Sequence, residues 1–243
     1  MSRTYDEWLH LARTRVLANA GGQIPGMTHN ANNFCHVLEM QLELFRGKIH
    51  RQPDMPAADL LPKFDRLTQA VNKLAEMLRD NELHSFFMDE EVTMIDVGQF
   101  MEWVDRFWTN NLFYKHKIIR DMAIHDSLPT LQLPPFLLTL TVDEALKNAV
   151  EACMDKDPGG QHNLGFEMAP LGQGIVCTLT SPTTFPHDLA PFEEHATTRP
   201  DHFGLGLPMV KFFADQAGWN LDLTTTGEQT TFRLEIPNQR TEL

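Results

Sequence analysis

Leu60, Phe64, Leu67, Val71, Leu74 and Leu78 recur at spacings of four, three, four, three and four. That is a heptad seam, and a seam of this kind must be covered by another helix. The nearest cover precedes it. Phe34, Val37, Leu38, Gln41, Leu44 and Phe45 recur at three, four and seven, which is one face of a helix expected from about Pro25 to Lys48. Residues 51–57, RQPDMPA, hold two prolines and read as the turn between the two helices. Such a pair forms an antiparallel hairpin, which alone buries only part of both stripes. Pairing two hairpins into a dimeric four-helix bundle, a homodimer, would bury the rest. Packing onto the second half of the chain is the alternative.

His29 lies well off the centre of the first stripe, on a flank that water or a partner can reach. Asn33 stands one turn further on and shares that flank. A histidine near a helix start needs no function, so its meaning depends on the rest of the chain.

A length of 243 residues suits one large or two modest domains, and 42% hydrophobic content is enough for packed cores. The formal net charge of −13, from 33 acids and 20 bases, speaks against a nucleic-acid or anionic-membrane partner. Cys35, Cys153 and Cys177 are far apart, with no CxxC, and read as buried thiols of a reducing compartment. Eleven histidines include no HxxxH and no Cys/His cluster of ligand spacing. No apolar run reaches the ~18 residues of a membrane helix, and the first residues lack a signal-peptide core. A soluble, cytoplasmic protein without direct membrane insertion is expected.

Residues 4–20 carry a partial stripe of Trp8, Leu9, Leu11, Ala12, Val16 and Leu17, and Gly21 and Gly22 are expected to end that short helix. The polar segment 81–91 marks a domain boundary. Beyond it the pattern turns mixed α/β. It predicts a short strand at 92–95, a helix over 97–115, a strand over 117–126 and a long helix over 134–154. Strand pairs follow at 163–169 with 174–180 and at 219–226 with 230–236, with a helix over 206–217 between them.

Four stretches of this order carry motifs. Gly26-Met27-Thr28-His29-x-x-Asn32-Asn33 precedes the first apolar stripe. Val142-Asp143-Glu144-Ala145-Leu146-Lys147-Asn148-Ala149-Val150-Glu151-Ala152 sits on the long helix. Ala190-Pro191-Phe192-Glu193 and Ala196-Thr197-Thr198-Arg199 follow, and then Phe203-Gly204-Leu205-Gly206-Leu207 opens a helix. Glycines there let backbone amides approach phosphate oxygens, and the helix N-terminus favours negative charge. Together they resemble the H-box, N-box, F-box and G2 box of two-component sensor histidine kinases, whose ATP-binding domain is of the GHKL (Bergerat) type.

The resemblance implies an α+β protein in three parts. These are an N-terminal helix (1–21), a dimerisation and histidine phosphotransfer hairpin (22–88), and a degenerate GHKL-like α/β sandwich with a mixed sheet (89–243). It implies His29 as phosphoacceptor, Asn148 as the Mg²⁺ ligand if ATP binds, and Glu144, Gly204 and Gly206 as nucleotide-site residues if that site is retained. Two departures weigh against ATP-dependent chemistry. The glycine-rich turn with the adenine-binding aspartate is replaced by Ser181-Pro182, and the acid that usually follows the phosphoacceptor is replaced by Asn30, which cannot act as a base. Asn33 matches the position of a polar residue that positions water for phosphatase action. The leading expectation is a histidine phosphotransferase or phosphatase towards a response-regulator receiver domain, with no cofactor. An active kinase with a divergent adenine pocket, using ATP and Mg²⁺, and a non-catalytic signalling adaptor are the alternatives.

Overall fold

The computed structural model describes residues 3–186, 189–200, 202–239 and 241, and of Asn81 the backbone alone. Tyr5–Arg51 form one helix, α1. It starts at a capping box in which Thr4 and Glu7 satisfy each other's backbone amides. Gly21 and Gly22 therefore do not end a first helix; both lie inside α1, exposed, with open space where a Cβ would stand. A glycine costs a helix about 1 kcal/mol, and Pro25 removes a further backbone hydrogen bond at the same place.

Tertiary packing outweighs those local penalties, because α1 is held on both sides of the weak point. Trp8, Ala12, Val16, Gln23, Gly26 and Asn30 are buried, and with Asn19 they form one continuous heptad-like face. At Gly26 the approach is so close that any added Cβ would collide with the backbone carbonyl of Asn110.

A 3-10 turn over Ala57–Leu60 leads into α2, Leu61–Phe87, which runs back along α1. Phe45 meets Phe64 edge to face at 4.9 Å. The heptad seam divides. Leu60, Leu67 and Leu74 are half-buried, whereas Phe64, Val71 and Leu78 remain 50–57% exposed. The far end of α2 enters the core of the second half, where Phe87 packs on Phe100 and Trp103.

The second half begins with β1, Thr93–Ile95. The helix expected over 97–115 is two helices, α3 (Val97–Trp108) and α4 (Leu112–Lys117). The break arises because the Asn111 side chain caps α4, accepting from the Tyr114 amide at 2.9 Å. Strand β2 (Ile118–Ile124) is followed by β3 (Leu131–Leu133), which pairs antiparallel with β1. β3 has only three residues, too few to announce itself by alternation. Next come α5 (Pro135–Lys156), β4 (His162–Leu171), β5 (Gly174–Ser181), α6 (Gly206–Gln216), β6 (Asn220–Thr226) and β7 (Gln229–Ile236). The main sheet has the order β2-β4-β5-β7-β6, with β2 parallel to β4 and the other pairs antiparallel. The fold is α+β with a mixed sheet.

Every residue of α5 from Pro135 to Leu146 is buried. The sheet covers one side of it, and α1 and α2 cover another. This leaves the stretch no exposed face, so its Asp143 and Glu144 must find partners inside the protein. Cys153 and Cys177 are buried, and desolvation pushes their thiols up to about 11 and about 12. Cys35, expected to be buried like them, is exposed on α1. Among the described residues no helix is long and apolar enough to cross a membrane.

Two alanine substitutions in α1 should have opposite signs. Gly22→Ala meets open space and should stabilise by about 0.5–1 kcal/mol. Gly26→Ala must displace the Asn110 backbone and should destabilise by about 1–3 kcal/mol. Denaturant unfolding of both variants measures the difference, and equal effects would contradict the docking.

Candidate functional site

The exposed flank of α1 brings two of the expected residues together. His29 and Asn33 are both exposed, and the Asn33 amide nitrogen lies 3.1 Å from Nε2 of His29. With the amide donating, Nε2 carries the lone pair and Nδ1 the proton. Asn30 does not join them. It is buried, its amide donates to Oδ1 of Asn110 at 3.0 Å, and its own Oδ1 accepts from Nζ of Lys115 at 2.6 Å. Asn30 thus anchors the His29 segment to the turn between α3 and α4.

The remaining expected residues gather around a cavity of about 420 Å³ between α1, α5, α6 and β5. Asn148, Gly204 and Gly206 line it, together with Arg15 from α1. Gly204 has φ +62°, and an added Cβ would lie 2.7 Å from the backbone of His195, itself left-handed at φ 68°. Only glycine fits that crossing.

Glu144 is fully buried behind the cavity wall. Arg15 grips it through two contacts, Nε to Oε1 at 2.7 Å and Nη2 to Oε2 at 3.3 Å. An added Cβ at Gly206 would collide with Oε2 of Glu144, so this carboxylate lies against the first turn of α6. Asn19 completes the cluster. Its amide donates to Oδ2 of Asp143 at 2.7 Å and to Oε1 of Glu144 at 2.9 Å, and its oxygen accepts from Lys147 at 2.8 Å. Trp108 donates to Oδ1 of Asp143 at 2.9 Å.

The other basic residues of the wall are also engaged. Arg199 donates to Glu151 at 2.6 Å and to Asp155 at 2.5 Å, and Nε2 of His202 is 3.9 Å from the same Glu151. Ser181 and Thr183, where an acidic turn was missing, are buried and hydrogen-bonded to each other at 2.8 Å. Among the described residues no group of three or more His, Cys, Asp or Glu side chains could hold a metal ion.

Arg15 and Asn19 were not legible as site residues from their types alone. The one available signal was polar side chains recurring beside Trp8, Ala12 and Val16 on a partly apolar stripe. From Arg15 to His29 is 14 residues of continuous helix, about 21 Å along the axis.

Compared with protein-family models and with curated protein sequences, the chain matches none. Among solved structures it is similar to the catalytic domain of the histidine kinase ThkA, at 16% identity and a TM-score of 0.52, over 61% of this chain and 96% of that one. It is also similar to full-length ShkA, a structure in complex with AMPPNP, at 15% identity and a TM-score of 0.51, over 89% of this chain. The chain has the histidine-kinase catalytic-domain fold. The likeness is one of fold, and the chain spans 45% of the length of ShkA. Within that fold, α5 carries Asn148 and the start of α6 carries Gly206 to one cavity, as their order along the chain suggested.

Charge burial has a measurable consequence. Burial, reinforced by the neighbouring Glu144 charge, pushes the Asp143 carboxyl up to about 6 from 3.8, despite the opposing hydrogen bonds of Asn19 and Trp108. Burial works against the Arg15 guanidinium, but its hydrogen bond to Glu144 and the attraction between them prevail, and its net shift is upward. A carboxyl raised on folding binds its proton more tightly in the native state. Asp143 therefore favours folding most below pH 4 and less as pH rises through 6. The half-buried His84 imidazole is held below its ordinary value by desolvation and works in the other direction, so a variant isolates Asp143. The wild type should gain about 1.5 kcal/mol relative to Asp143→Asn between pH 7.5 and pH 5. Denaturant unfolding at a series of pH values reads this, and a pH-independent gap would contradict it.

Proposed function

We propose that the chain acts in two-component signalling as a dimeric histidine phosphotransferase or phosphatase towards a response-regulator receiver domain, with His29 as phosphoacceptor. The observation that carries this reading is the setting of His29. The imidazole is exposed on a helix anchored at Gly26 and Asn30, with its Nε2 beside the Asn33 amide. Transfer from a receiver needs a nucleophilic nitrogen held still and open to solvent. The Asn33 amide releases Nε2, the freed lone pair attacks phosphorus, the bond from phosphorus to the receiver aspartate oxygen breaks, and the carboxylate leaves. Nδ1 keeps its proton.

A kinase using the chain's own cavity is the less supported reading. A Mg²⁺–triphosphate wants oxygen ligands and free positive charge. Arg15 and Arg199 are both paired with carboxylates, and Glu144 stands against the first turn of α6. Ser181 and Thr183 offer hydroxyls where the resemblance calls for an aspartate. Asn148 remains as a candidate oxygen ligand for Mg²⁺, but with the arginines engaged and the aspartate missing, the cavity supplies little else to hold a triphosphate. The ~21 Å of helix between Arg15 and His29 separates the two places within one chain.

Incubation with a phosphorylated receiver domain tests the proposal. His29→Ala should abolish labelling of the chain while leaving the fold intact, since the side chain is exposed. Asn33→Ala should slow loss of phosphate from the receiver by about tenfold or more if the amide orients water, while sparing transfer to His29. Full labelling of His29→Ala would refute His29 as the acceptor, and a wild type that neither takes up label nor speeds its loss from the receiver would make a non-catalytic adaptor the better reading.

The homodimer is proposed from the exposed half of the α2 seam, Phe64, Val71 and Leu78. These are large apolar side chains in a heptad row that the monomer only half covers. Val71→Glu together with Leu78→Glu should give a folded monomer by sizing and circular dichroism. A wild-type monomer at micromolar concentration would refute the dimer.

A further inference from the structure

The cavity behind α1 is large enough for a ligand of drug or nucleoside size, about 420 Å³ against roughly 300–1,000 Å³ for such sites. Its floor is apolar, with Leu179, Met209 and Phe232 buried. Its polar lining among the described residues is chiefly uncharged, with the Asn148 amide and the hydroxyls of Ser181 and Thr183. At its mouth Phe203 is 81% exposed, the largest exposure among the large hydrophobic residues of the described chain.

The charges of the wall point the same way. Arg15 is committed to Glu144 and Arg199 to Glu151 and Asp155, while His202 faces Glu151. The first turn of α6, where backbone amides would attract an anion, already faces the Glu144 carboxylate. An incoming phosphate or carboxylate that drew Arg15 to itself would leave the fully buried Glu144 carboxylate without its cation. An uncharged ligand displaces none of these contacts. It can bury its faces on the apolar floor, stack an aromatic ring on Phe203 and satisfy its polar atoms on the hydroxyls and the Asn148 amide.

We infer that this cavity is a binding site for an uncharged, flat heteroaromatic molecule of about nucleoside size, and that it discriminates against anionic forms of the same ring. The inference concerns the cavity alone. Binding there is read directly, so its failure and a failure of phosphotransfer at His29 are separate results.

Two pairs of probes test it by calorimetry on the full chain, each pair differing in charge: adenosine against AMP, and tryptophol against indole-3-acetate. At least one uncharged probe should bind with a micromolar dissociation constant, and its anionic counterpart about tenfold or more weaker. Phe203→Ala should weaken the uncharged probe about fivefold. Glu144→Gln should strengthen the anionic probe about threefold or more and leave the uncharged one nearly unchanged. Anionic probes binding as tightly as uncharged ones would overturn the inference, as would an absence of binding by both uncharged probes at millimolar concentration. An unchanged charge preference in Glu144→Gln, with its fold confirmed by circular dichroism, would overturn the role given to the buried carboxylate.

Discussion

The buried contact between Arg15 and Glu144 fixes how the two halves of this protein meet. It joins a helix that begins near the start of the chain to the most deeply buried helix of the second half. An ion pair of this kind is weak evidence for net stability, because desolvation of both charges offsets much of their attraction. What it supplies is selectivity of arrangement. Sliding α1 by one turn would strand Glu144 without a cation and Asp143 without the Asn19 amide, and each stranded buried charge costs about 3–5 kcal/mol. The apolar contacts of Trp8, Ala12 and Val16 tolerate many registers; this polar cluster tolerates one.

A second anchor, of a different kind, stands about two turns beyond Asn19. Gly26 admits the Asn110 backbone by having no side chain, and Asn30 then bonds to Asn110 and Lys115. Together the anchors span Gly21, Gly22 and Pro25 and carry the helix across its weakest stretch. The same residues that make local helix formation unfavourable therefore lie inside one 47-residue helix. His29 rides on the outer side of the second anchor. Its exposure and its fixed position have one cause, since the inner side of the same turn is fully committed to packing.

The order of elements in the second half was legible because long helices and paired strands impose periodicities of 3.6 and 2 that survive in the sequence. Asn148, Gly204 and Gly206 could be brought to one cavity for the same reason. What the sequence concealed is decided by tertiary contact. Gly21 and Gly22 read as a stop by propensity, which packing overrode. Asn30 read as a neighbour of His29 because it follows it in the chain, yet successive helical residues point about 100° apart. Cys35 read as buried by residue type and is exposed. Arg15 and Asn19 read as ordinary surface polar residues, because nothing local announces that their partners lie more than 120 residues away.

The division of the α2 seam carries the same logic to the surface. A heptad repeat records that both of its rows were covered, but it does not say by what. Leu67 and Leu74 are half-buried within the hairpin, while Phe64, Val71 and Leu78 stand open. The core of the second half already receives the end of α2 through Phe87, so the open row begins where intramolecular packing stops. It lies on the helix that runs beside the His29 segment, so whatever covers it also shapes the surface around His29. A symmetric second copy would cover the row and present two such histidines on one rigid bundle.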